Sequence, residues 1–103
     1  MKISQIKAGM DGITVIGRIV YIGIRKRVET KFGPAYVARA ILEDKTGRIT
    51  LNLWREQIDM VKEGDIILIE NGFVRTYKDR LELNVGSRGK IIRLKESGKP
   101  AQV

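Results

Sequence analysis

The sequence predicts an all-β domain: a five-stranded Greek-key barrel with a short helix between strands 3 and 4. The first observation behind this is the stretch Ala40 to Trp54, AILEDKTGRITLNLW, where two apolar runs flank Asp44-Lys45-Thr46-Gly47. Asp closes an Asx-type turn and Gly takes the positive φ of a tight reversal, so the stretch reads as a β-hairpin. The second is the recurrence of alternating runs rich in β-branched residues, from Ile13 to Tyr21, Ile66 to Tyr77 and Leu81 to Val85. The third is size: 103 residues, 43% of them hydrophobic, suffice for one core and leave no room for a second domain.

Taken in order, Ile3, Ile6 and Met10 form an apolar lid, cut short by Gly9 and Gly12, that plugs one end of the core. In the first strand Ile13, Val15, Gly17 and Ile19 share one face, and Thr14, Ile16, Arg18 and Val20 the other. Gly17 is expected to mark a bulge or sharp coil where one strand serves two sheets. Arg25 to Pro34, RKRVETKFGP, reads as a charged loop that Gly33-Pro34 ends. In the hairpin, pairing Glu43 with Arg48 sets Leu42, Ala40 and Ala38 opposite Ile49, Leu51 and Leu53 on a core face. Ile41 with Thr50, Arg39 with Asn52 and Val37 with Trp54 then share the outward face.

Glu56 to Lys62 is predicted to be a helix of about two turns, with Ile58 and Val61 at i and i+3 and Gly64 as its stop. Glu56, Asp59, Glu63 and Asp65 make this segment acidic, so a polyanion should avoid it. The fourth strand runs from Ile66 to Tyr77 with a bulge at Gly72, and Lys78-Asp79-Arg80 turns it back. The fifth alternates Leu81, Leu83 and Val85 with Glu82 and Asn84, and Ile91, Ile92 and Leu94 extend it past the Gly86-Ser87-Arg88-Gly89 turn. The domain is expected to span residues 1–94, and 95–103 to be a polar, disordered tail.

Composition excludes several function classes. The absence of cysteine and histidine removes disulfides, thiolate metal sites, thiol nucleophiles and the commonest general base, so neither an enzyme nor a cofactor nor a metal is expected. No signal-peptide core opens the chain and no run approaches the ~18 apolar residues of a spanning helix, which predicts a cytoplasmic protein with no membrane partner. Twenty Lys and Arg against twelve Asp and Glu give a formal charge of +8, which calls for an anionic partner. An outward row of Arg, Asn and Trp suits planar bases and phosphates.

Two apparent motifs carry no chemistry. Gly86-Ser87-Arg88-Gly89-Lys90 lacks the spacing and following helix of a P-loop, and it lies between strand-like runs rather than the helices that flank a G-x-x-G loop of the KH type. Glu43 and Asp44 adjoin, but in a solvated turn where no shifted pKa is expected.

Five strands, a helix between the third and fourth, a bent first strand and a plugged end describe a barrel of the OB type. LEDKTGRITLNLW, EGDIILIENGFV and LELNVGSRGKI closely resemble the single-stranded DNA-binding OB domains of archaea, which include crenarchaeal single-stranded DNA-binding proteins and the repeats of replication protein A. The resemblance runs over roughly Ile3 to Ile92 and implies base stacking on Trp54, Phe73 and Tyr77; the family often has Trp where this chain has Phe73. OB folds bind oligonucleotides across strands 2 and 3 and the loops joining strands 1 to 2 and 4 to 5. Those places add candidate phosphate and base contacts. Arg18 is on the first strand, Arg25, Lys26, Arg27, Val28 and Lys31 follow it, Arg39, Asn52 and Arg55 belong to the hairpin, and Arg75, Lys78 and Arg80 flank the last turn.

The expected function is coating of single-stranded DNA, with little sequence preference, in replication, recombination or repair. The alternatives are an RNA-binding barrel, or an OB subunit of a replication protein A-like assembly that contacts other replication or repair proteins. The expected state is a monomer or weak homo-oligomer, for which the C-terminal IIRL offers the apolar patch.

Overall fold

The computed structural model describes residues 1–95. Its strands are β1 (Ile13–Ile22), β2 (Lys26–Thr30), β3 (Gly33–Asp44), β4 (Gly47–Trp54), β5 (Ile66–Tyr77), β6 (Arg80–Asn84) and β7 (Lys90–Lys95). A 3-10 turn at Ile3–Gln5 precedes them, and one short helix, α1 (Gln57–Met60), joins β4 to β5. Five strands close on themselves: β1 pairs β3, β3 pairs β4, β4 pairs β6, β6 pairs β5, and β5 returns to β1. The β4–β6 seam is parallel and the other pairings are antiparallel. No described helix is long and apolar enough to cross a membrane.

The hairpin register is the expected one at every pair from Val37–Trp54 to Asp44–Gly47. Its inward residues Ala40, Leu42, Leu51 and Leu53 are fully buried and meet Ile19, Ile67, Ile69 and Leu83 at the centre of the barrel. Burying such side chains is worth about 1.5–3 kcal/mol each, which pins the register, because a one-residue slip would expose the whole set. Ile3 and Ile6 plug the barrel beside Gly47, and Ile58 and Val61 close the opposite end beyond Trp54.

Several expectations change. The charged loop is itself a strand: β2 pairs β3 from Lys26–Val37 to Thr30–Gly33, forming a ribbon beyond the ring. The IIRL segment does not extend β6; it is β7, antiparallel to β5. Ile91 reaches the core, while Ile92 and Leu94 are exposed. The helix has one turn, because Val61 goes extended (φ −136°, ψ 161°) to bury its side chain and Asp65 takes the Lys62 N–H at 2.8 Å. Lys95 ends β7 rather than beginning a tail, and residues 96–103 of the expected tail lie outside the described residues.

The bulge at Gly72 is present, since Ile13 to Val15 on β1 spans Gly72 to Ile69 on β5, and Asn71 supplies the left-handed residue at φ 57°. At Gly17 there is no bulge. A Cβ there would lie 2.8 Å from Leu42 Cγ and 2.9 Å from the Glu43 carbonyl oxygen, so the glycine permits close approach of β1 and β3. The β1–β3 irregularity falls instead between Ile19 and Tyr21, and it turns Tyr21 outward opposite Ile41.

Asp44 joins the plug to the hairpin. Its Oδ2 accepts the Ile3 N–H (2.9 Å), and Oδ1 accepts the Thr46 N–H (2.7 Å), the Thr46 hydroxyl (2.6 Å) and the Gly47 N–H (3.2 Å). Desolvation alone would raise its pKa, but these bonds to the charged form outweigh it and hold the carboxyl below its ordinary value, contrary to the unshifted turn carboxylate expected above. A depressed folded-state pKa stabilises fully above the unfolded value of about 4 and is lost as pH falls through the folded value. Asp44→Asn is therefore expected to lose about 1–2 kcal/mol at pH 7 and to show a shallower loss of melting temperature below about pH 4 than the parent, read from thermal melts across acid pH.

Candidate nucleic-acid interface

Cross-strand partners share a face, so the register itself builds the outward surface. Lys26, Val37 and Trp54 lie side by side across β2, β3 and β4. The next row is Arg39, Asn52, Asn84 and Phe73, and the next is Ile41, Thr50, Glu82 and Arg75, with Tyr77 opposite Arg80 beyond. Trp54, Phe73 and Tyr77 thus trace a diagonal across one sheet face. Lys78 and Asp79 both have positive φ (49° and 62°), the two-residue reversal that suits a twisted hairpin, and this brings Lys78 and Arg80 back over Tyr77. Their charged groups lie 5.4 and 5.9 Å from the Tyr77 ring centroid, and the Arg75 guanidinium lies 5.4 Å from that of Phe73.

Between these aromatics runs a polar network that the sequence did not reveal. Asn52, Glu82 and Asn84 stand on the outward face yet are only 9%, 6% and 6% exposed. Asn52 Nδ2 donates to Glu82 Oε1 (2.9 Å) and Asn84 Oδ1 (3.3 Å), and the indole N–H of Trp54 donates to the same Asn84 oxygen (3.0 Å). That bond fixes the indole plane. The backbone N–H of Trp54 donates to Gln57 Oε1 (2.9 Å), whose amide donates to the Val85 carbonyl (2.8 Å), so the end of β4 is tied to α1 and to the residue after β6. Arg80 donates to Glu82 Oε2 at 3.1 and 3.3 Å, and Arg39 forms a looser ion pair with it at 3.6 Å. Asn52 is thus a support for this surface rather than an exposed base contact.

A groove of about 800 Å³ opens where the diagonal ends, lined by Trp54 and Phe73 with Thr30, Lys31 and Phe32 from the ribbon, Ser87 and Gly89 from the turn after β6, and Lys90 at the start of β7. Its cations Lys31, Arg55, Arg75 and Lys90 have no ion pair with a carboxylate among the described residues. Arg55 holds φ 54° while its N–H donates to the Tyr36 carbonyl (2.9 Å), which swings the chain off β4 at the groove's edge.

Other predicted contacts lie elsewhere. Arg18 neighbours Glu43 near the hairpin-turn end and donates to the Gly64 carbonyl (2.9 Å), so it is not brought to the aromatic diagonal. Arg25 is held by Asp59 at 2.7 Å. On the ribbon, Lys26 and Val28 take the Trp54 side, and Arg27 takes the reverse with Tyr36. Of the acidic segment, Glu63 accepts the Ile22 N–H and Asp65 is buried, so only Glu56 reaches the groove.

Besides Tyr36 on the reverse of the ribbon, two aromatics escaped sequence reasoning. Tyr21 was hidden by the bulge that reverses its facing. Phe32, 82% exposed at the ribbon tip, could have been found as the one aromatic within a run of charged residues.

The closed five-stranded ring, its parallel seam and the helical turn between β4 and β5 make this an OB-fold domain whose aromatics and cations share one outward face. A family model for the single-stranded DNA binding protein Ssb-like OB fold matches residues 6–93, and the chain belongs to that family. It is 33% identical over 99 residues to the single-stranded DNA binding protein Ssb of Saccharolobus solfataricus, spanning 96% of this chain and 67% of that protein. It is 32% identical over 96 residues to replication factor A of Methanothermobacter thermautotrophicus, spanning 89% of this chain and 12% of that protein. Among solved structures, the second OB-fold domain of replication protein A from Methanococcus maripaludis superposes with a TM-score of 0.75 at 30% identity, covering 96% of this chain and 98% of that one. An OB domain from Thermoplasma acidophilum gives 0.81 at 25% identity, covering 100% and 92%.

Proposed function

We propose that this protein binds single-stranded DNA across the Trp54–Phe73–Tyr77 diagonal and acts, without catalysis and in the cytoplasm, in replication, recombination or repair. The observation that supports this most directly is the joining of three outward aromatics to cations with no carboxylate ion pair among the described residues, on one face of an Ssb-like barrel. Each base offers a π-face to stack on, so the platform tolerates any sequence, while Lys26, Lys31, Arg55, Arg75, Lys78 and Lys90 take phosphates. The identity to replication factor A, over a small part of that protein, favours a further role as one OB unit in a larger replication assembly.

Competition titration with matched single-stranded DNA, RNA and duplex tests the proposal. Single-stranded DNA is expected to bind at least about tenfold more tightly than duplex, since stacking needs splayed bases. Four to six neutralised phosphates predict a log–log salt slope on the order of −3 to −4, and charge reversal at Lys26 or Lys78 should flatten it for all sequences alike. Equal affinity for duplex would reduce the face to a generic basic surface, and tighter RNA binding would reassign the ligand.

A further inference from the structure

We infer that Phe32 forms an additional nucleobase subsite, stacking the base that follows, along the bound strand, the one seated on Trp54. This rests on the single-strand binding proposed above and extends it to a residue outside the diagonal. Phe32 is the most exposed aromatic of the described residues, and a phenyl ring held in water is unfavourable unless something covers it. Its position is built rather than loose. Thr30 Oγ1 accepts the Phe32 N–H (3.0 Å) and donates to the Gly33 carbonyl (2.7 Å), and Gly33 takes φ 103°, so the two-residue tip has one shape.

The tip lines the same groove as Trp54 and Phe73, on the β3 side of Trp54, opposite the Gly86–Gly89 turn that follows β6. Lys31 Nζ lies 5.6 Å from the Phe32 ring centroid. A cation suited to a phosphate thus lies over the ring, and the residue's exposure leaves the ring accessible to a base. The ribbon's outer strand β2 has β3 as its only partner among the described residues, so the tip stands clear of the barrel beside the groove.

The test is a titration of the parent, Phe32→Ala, Phe32→Leu and Phe32→Trp with oligothymidylates of graded length, from about 4 nucleotides upward. Phe32→Ala is expected to weaken binding about tenfold for oligonucleotides that span the diagonal and the ribbon, and to leave shorter ones unaffected. Leu should behave as Ala, because it is apolar without a π-face, and Trp should restore the parent affinity. All four should melt together, since Phe32 is 82% exposed and lies outside the core. Unchanged affinity of Phe32→Ala at every length, with Trp54→Ala still weakened, would overturn the subsite and leave the proposed function standing. A loss equal at all lengths would put Phe32 on the same base as Trp54 and overturn a separate subsite, and full affinity in the Leu variant would overturn stacking. A parent that binds no single strand would fail the proposed function itself.

Discussion

Trp54→Ala is expected to weaken single-strand binding by about 1–3 kcal/mol, the worth of one base–aromatic stack, with Phe73→Ala and Tyr77→Ala each falling in the same range. Trp54 is the only tryptophan, so its emission should be quenched as the parent is titrated with oligonucleotide. The outward register beside Val37 and the 3.0 Å bond from its indole to Asn84 hold the ring ready for a base, which lowers the entropy lost on binding. Losses in multiple variants should sum to less than their parts, because adjacent bases belong to one strand. Thermal melts supply the control. A core tryptophan truncated to Ala costs roughly 3–5 kcal/mol, whereas Trp54 should cost less, since Asn84 Oδ1 keeps the Asn52 amide as a donor. Unaltered affinity with unquenched emission would remove Trp54 from the interface.

Glu82→Gln is expected to act in opposite directions on binding and stability. The carboxylate is buried on the binding face and takes hydrogen bonds from Asn52 and Arg80 and an ion pair from Arg39, so it neutralises cations that would otherwise meet phosphate. The isosteric amide can still accept from Asn52, but it presents N–H groups to guanidinium N–H groups. Stability should fall by about 1–3 kcal/mol for the imperfectly satisfied buried group. Single-strand affinity should rise severalfold at moderate salt, and the log–log slope should steepen by roughly 0.7 for each arginine released. Melts and salt-dependent titrations read both. Reduced affinity in a protein that remains folded would instead make Glu82 a direct acceptor for a base, as a carboxylate is for the cytosine amino group.

The division between what the chain spelled out and what folding decided follows from the range of the forces involved. The hairpin register, the outward facing of Trp54, the Gly72 bulge and the Lys78-Asp79 reversal were legible, because turn chemistry and two-residue alternation act between neighbours in sequence. So was the closure of five strands, because the apolar faces of the alternating runs had nowhere else to be buried. The fate of polar residues was not. Asn52, Glu82 and Asn84 read as outward groups, but the parallel β4–β6 seam joins segments 30 residues apart and turns them into a buried network. Arg25 and Arg39 read as phosphate ligands, and only the fold shows that Asp59 and Glu82 lie beside them. Tyr21 changed face through one bulge, and the charged loop became a strand because the exposed edge of β3 offered its backbone a ladder. By itself the sequence determined which side of each strand is apolar; which charges remain unpaired on the other side was decided only by the tertiary structure, because electrostatic pairing depends on distance in space and not on position along the chain.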